Sequence, residues 1–130
     1  MRITSKLAAA PLLALLALGL GGCAQQSDMA TVGRYGGYTT PGYDGVLTDV
    51  PPMAAVDFST QRQVITDDDL EAMLPALKRL RPRRMCLGGQ HLTDRSIDML
   101  NEIPFLRVVN LEGTNITPAG WARLRPSHYQ

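Results

Sequence analysis

The sequence predicts an α/β fold in which strand–turn–helix units lie side by side, and two observations predict it. Over 106–117, apolar residues stand at Leu106, Val109, Leu111 and Ile116, and Thr117 follows; 24 residues earlier the same spacing returns as Met85, Leu87, Leu92 and Thr93. A further 27 residues back, Ile65-Thr66 again opens a helix-like stretch. A period in this range marks a repeat architecture. The second observation is a common offset. Leu70 and Met73, Ile97 and Leu100, and Trp121 and Leu124 fall five and eight residues after Ile65, Leu92 and Ile116, at helical spacing each time.

The 130 residues have room for one domain. Residues 1–22 read as a secretory signal: Arg2 and Lys6 are basic, and the apolar run from Leu7 to Leu20 is too short to span a membrane comfortably. It ends in Leu20-Gly21-Gly22-Cys23, which resembles the lipobox of bacterial lipoproteins. That resemblance implies cleavage before Cys23 and acylation of its sulfur, with membrane lipid as the first partner. Several acyl chains hold a protein stably on a leaflet, since each buried methylene contributes roughly 0.8 kcal/mol. Ala24, where inner-membrane retention usually has Asp, implies the outer membrane, facing the periplasm, in a double-membrane bacterium. The competing reading is an ordinary signal peptide with Cys23 incidental.

Residues 23–53 read as the lipidated cysteine and a flexible linker. Gly33, Gly36, Gly37, Gly42 and Gly45 mix with Pro41, Pro51 and Pro52, and Tyr35, Tyr38 and Tyr43 are scattered singly. Such a composition buries too little apolar surface to offset chain entropy. A coil of this length reaches an r.m.s. extension of about 30 Å. The tyrosines also suit a strip that touches a wall or partner.

The repeat domain is expected over 54–126, with a frayed tail at 127–130. Ala54 to Thr60 is a weak edge strand, in which Val56 and Phe58 alternate with Asp57 and Ser59. Thr66 caps the first helix, and Asp67, Asp68 and Asp69 suit its positive end. Asp69 stands at the capping-box position. The spacing lacks the further ligands of a calcium loop. Pro75 predicts a kink or restart. Met85-Cys86-Leu87 is a strand with Met85 and Leu87 inward and Cys86 outward, since side chains alternate. Gly88 and Gly89 permit the turn, and Thr93 caps the next helix, which Ile103 and Phe105 close before the third strand, Val109-Asn110-Leu111. Thr117 then caps a helix with Pro118 at its first position, and Arg125-Pro126 ends it.

The run Leu106-x-x-Val109-x-Leu111-x-x-Thr114-x-Ile116-Thr117-x-x-Gly120-Trp121 resembles the short bacterial type of leucine-rich repeat, and Ile65-Thr66-Asp67 and Leu92-Thr93-Asp94 keep its helix opening. The resemblance implies a solenoid of about two and a half repeats with parallel strands, and binding rather than catalysis. Its recognition face would carry Arg84, Cys86 and Gly88 in one row and Val108, Asn110 and Glu112 in the next.

Function is expected to be a non-catalytic, membrane-anchored interaction module of the cell envelope, whose partner is a protein or an envelope polymer. Lys78, Arg79, Arg81, Arg83 and Arg84 form the one dense basic block. It supports an alternative, a structural lipoprotein that touches lipopolysaccharide or peptidoglycan through this loop; the bland alternative is a solvated helix end. A weaker alternative is redox chemistry at Cys86, beside Arg84. The net charge of +1 gives no basis for nucleic-acid binding. No cysteine spacing suits a metal, and no cofactor, nucleophile elbow or histidine pair is expected.

Overall fold

A computed structural model describes residues 24–41, 53–59 and 63–128. The expected signal segment, the lipobox and Cys23 lie outside the described residues, as does the stretch 42–52 of the expected linker.

Among the described residues, four helices accompany a mostly parallel sheet of five strands. The sheet runs in the order β1 (Tyr38–Pro41), β2 (Met53–Asp57), β3 (Arg84–Cys86), β4 (Val108–Asn110), β5 (Ser127–His128). β1 pairs antiparallel to β2, and every later pair is parallel. The helices are α1 (residues 24–34), α2 (Asp67–Leu80), α3 (Asp94–Asn101) and α4 (Pro118–Arg123).

Strand alternation sets the core. Val56, Met85 and Val109 are in register across β2, β3 and β4, and all three are fully buried. Leu70, Met73 and Leu77 of α2 and Ile97 and Leu100 of α3 close on that row as part of one apolar cluster. The residues five and eight after Ile65 and Leu92 are therefore core positions, as their spacing predicts. In the third unit, Trp121 and Leu124 are half-buried and pack on the edge of the same cluster. Gly89 (φ 73°) and Gly113 (φ 72°) make the turns after β3 and β4, in a conformation that strongly favours glycine.

Each helix starts on a threonine. Thr66, Thr93 and Thr117 accept hydrogen bonds from the backbone N–H of Asp69, Arg95 and Gly120, and Asp69 completes a capping box. The backbone also joins successive units beyond the strands: His91 N–H donates to Ile65 O at 3.0 Å, and Asn115 N–H to Leu92 O at 2.9 Å. Gln90, buried at one of these joints, accepts from Ile65 N–H at 2.8 Å and donates to Phe58 O at 3.1 Å.

The structure departs from expectation at five places. Residues 24–41, expected to be flexible, form α1 and β1. Val32 is fully buried, Met29 and Tyr35 pack on the core, and Gly37 has no room for a Cβ, which would stand 2.6 Å from both Val32 Cγ1 and Phe58 Cε1. α2 runs through Pro75 without a break, because Met73, Ala76 and Leu77 on either side are seated in the core. α4 stops at Arg123 with Leu124 as its cap, short of Arg125-Pro126. Ser127 and His128, expected to fray, pair with β4 instead. Phe105, expected to close α3, stands beyond its end at Asn101 and is 62% exposed, with φ 66°.

Candidate functional site

The face of the sheet opposite the helices carries two rows. Ala55, Arg84, Val108 and Ser127 are aligned by the strand register in one, and Asp57, Cys86 and Asn110 in the other. The parallel register thus brings together four of the six residues expected on a recognition face. It places them as pairs across neighbouring strands: Arg84 with Val108, and Cys86 with Asn110. Strands lie about 4.8 Å apart, so each pair is within reach of a single ligand group. Arg84 is exposed, while Cys86, Val108 and Asn110 are half-buried. Glu112, exposed in the turn after β4, extends the second row; its N–H donates to Asn110 Oδ1 at 2.9 Å. That bond orients the amide of Asn110 in advance of any partner.

Three residues of these two rows, Ala55, Asp57 and Ser127, escaped sequence reading. Asp57 stands beside Cys86 and Ala55 beside Arg84 because β2 joins the sheet in the same register. Their alternation with Val56 was the available signal. Asp57 Oδ1 also accepts from Ser59 N–H at 2.7 Å, so its carboxylate orders the turn that follows β2.

The basic block does not act as one surface. Lys78 pairs with Glu102 at 2.8 Å. Arg79 holds Asp28 of α1 through two nitrogens, Nε at 2.9 Å and Nη2 at 2.7 Å, and the Asp28 carboxylate, bonded and charged beside it, keeps the guanidinium protonated. Arg81 caps α2 in the left-handed conformation, with its Cζ 5.9 Å from the Phe105 ring centroid. Arg83 and Arg84 are exposed at the start of β3.

Cys86 lies between Asp57 and Asn110 in its row, and Arg84 belongs to the adjoining one. His91 follows the β3 turn, while His128 sits in β5 against Trp121, ring centroids 4.4 Å apart. Among the described residues, no three His, Cys, Asp or Glu side chains are grouped to hold a metal, and no helix is long and apolar enough to cross a membrane. Comparison with known protein families, characterised proteins and solved structures finds no match.

Proposed function

We propose that the chain is a lipid-anchored, non-catalytic interaction module of the bacterial cell envelope. In this reading it is a short leucine-rich-repeat solenoid of about two and a half units. The outer face of its sheet holds a protein or an envelope polymer. The observation that carries the reading is the parallel register that aligns Arg84 with Val108 and Cys86 with Asn110 on a face the helices leave uncovered. A cation, a thiol, an aliphatic side chain, an amide and the Glu112 carboxylate make a mixed surface suited to recognition. It is narrower than a standard stable interface of about 800 Å² per partner. Membrane anchoring raises local concentration and offsets that shortfall.

The anchor rests on the sequence from Leu20 to Cys23. In a double-membrane bacterium it faces the periplasm from the outer membrane. Residue 24 is already helical, so in this reading an acylated Cys23 adjoins folded structure. The module would sit close to the bilayer rather than at the end of a long tether.

A photo-crosslinking side chain placed at Val108 or at Glu71, on the exposed side of α2, tests this in intact cells. Val108 is expected to yield a discrete adduct that Glu71 does not, weakened by Arg84→Glu. The same adducts from both positions, or none from Val108, would sink the reading.

A further inference from the structure

β1 extends the outer face of the sheet past β2. The two pair antiparallel with Tyr38 opposite Asp57. Opposite residues of such a pair share a face, their Cβ atoms about 5 Å apart. The row of Asp57, Cys86 and Asn110 therefore starts at Tyr38 and crosses four strands. Strands lie about 4.8 Å apart, so the row is about 14 Å long. Tyr38 stands at the edge of the sheet and is 51% exposed. A cavity of about 250 Å³ opens beside it, with Gly33, Gly36 and Gly37 in its wall.

The polar groups of this row are set in advance. Asp57 Oδ1 accepts Ser59 N–H at 2.7 Å, so Oδ2 is the acceptor its carboxylate offers. Asn110 Oδ1 accepts Glu112 N–H at 2.9 Å, so its amide offers two N–H donors. Gly88, two residues beyond Cys86, keeps the approach to that amide low; a Cβ there would stand 3.6 Å from Asn110 Oδ1. The spacing of the row decides what lies along it. An extended peptide turns a side chain to the same side only every roughly 6.6 Å, because alternate residues face away, and falls out of step with the strands. An extended chain of β-linked pyranose rings advances by about one strand spacing per sugar. Each ring offers an apolar C–H face and hydroxyls that both donate and accept.

We propose that the row from Tyr38 to Asn110 binds an extended glycan strand of β-linked, N-acetylated sugars lying across the sheet. The Tyr38 ring stacks on the C–H face of one sugar, a contact that suits an aromatic body with a polar tip. The neighbouring cavity takes an acetamido group. Asp57 accepts from a hydroxyl of the next sugar, and Asn110 donates to one further along. The inference rests on the reading of this face as a recognition surface, and narrows its partner from a protein or a polymer to a glycan. It also makes β1 part of the binding surface.

Titration calorimetry of the full chain in detergent micelles, with chitohexaose and with cellohexaose, tests this. Chitohexaose is expected to bind, and cellohexaose, which lacks acetamido groups, to bind several-fold more weakly. Tyr38→Ala should weaken chitohexaose binding about tenfold, whereas Tyr38→Phe keeps most of it. Gly88→Leu, which adds bulk without removing a contact, should weaken it several-fold. Glu71→Gln, on the exposed side of α2, should leave it unchanged. Because Tyr38 is exposed, both of its variants should keep the far-UV circular dichroism of the wild type. In intact cells, the Val108 adduct should change mobility after digestion with a muramidase. No binding of chitohexaose, equal binding of cellohexaose, or full binding by Tyr38→Ala would overturn the proposal. A discrete Val108 adduct that muramidase leaves unaltered would overturn it too, while the anchored module would stand with a protein partner.

Discussion

Three residues after each capping threonine stand Asp69, Ser96 and Gly120, and the difference among them has a cause. Asp69 serves its own helix, accepting Thr66 N–H at 2.9 Å. In the next two units the carboxylate comes from the preceding one. Asp67 accepts Thr93 N–H at 3.0 Å, the Thr93 hydroxyl at 2.6 Å and the Ser96 hydroxyl. Asp94 accepts Thr117 N–H at 2.8 Å and the Thr117 hydroxyl. A Cβ on Gly120 would stand 2.2 Å from Asp94 Oδ1. Gly120→Ala is therefore expected to cost about 1–3 kcal/mol through overpacking, and Ser96→Ala about 1 kcal/mol through one lost hydrogen bond. Urea midpoints at unchanged slope would check both. Burial pushes the Asp67 carboxyl upward, but hydrogen bonds from Ser96 and Thr93 outweigh it and hold it below 3.8; the Thr117 hydroxyl chiefly does the same for Asp94. A lowered carboxyl contributes stability that is fully present above the unfolded-state value and lost as pH falls through the folded-state value. The double variant Asp67→Asn, Asp94→Asn should be less stable than wild type near neutral pH, with the gap closing below pH 3.8. A constant gap in urea titrations across that range would refute the coupling. The sequence marked the three threonines as caps. It did not reveal that Asp67 and Asp94 act on the next helix, because spacing along the chain does not say which neighbour a side chain faces.

At the scale of elements, β3, β4, α2 and α3 were legible because each buries one stripe at a regular period. α1 was not. Met29 and Val32, with Tyr35 just past its end, recur every three positions, but the glycines and prolines that follow from Gly33 to Pro52 dilute that signal. The two outward-facing rows of the sheet were legible through strand alternation, whereas the pairing of Lys78 and Arg79 with Glu102 and Asp28 was not, since those partners lie on other elements. The structure makes α1 a working part of the fold. Val32→Ala should cost about 2 kcal/mol, the loss of two buried methyls. Arg79→Ala should destabilise more than Lys78→Ala, because it leaves the Asp28 carboxylate buried, only 6% exposed, without its cation. Limited proteolysis would read this locally: residues 24–41 should resist cleavage in wild type and become the first site cut in Arg79→Ala. Rapid cleavage there in the unaltered protein would instead restore the picture of a flexible linker.

Across the whole molecule, helix direction and charge reinforce each other. Asp67, Asp68, Asp69 and Asp94 lie at helix N-termini and Lys78 and Arg79 in the last turn of α2, so side-chain charges complement the helix dipoles while dividing the molecule into an acidic and a basic end. Where successive strand–helix pairs pack side by side along a sheet, the chain unfolds as one body only if each joint is strong. Here a single apolar cluster runs unbroken from Val32 at one edge to Leu111, with Trp121 packed against its far side. Trp121 is the one tryptophan in the chain, so its fluorescence reports the edge opposite α1. In urea, that signal and far-UV circular dichroism should follow the same transition, as a two-state domain requires. A charge driven into the opposite edge, Val32→Asp, should lower the Trp121 midpoint as much as the dichroism midpoint, because a continuous core transmits the loss. If Trp121 kept its original midpoint while the dichroism shifted, the cluster would be two bodies joined at α3, and the aspartate–threonine contacts would be too weak to couple them.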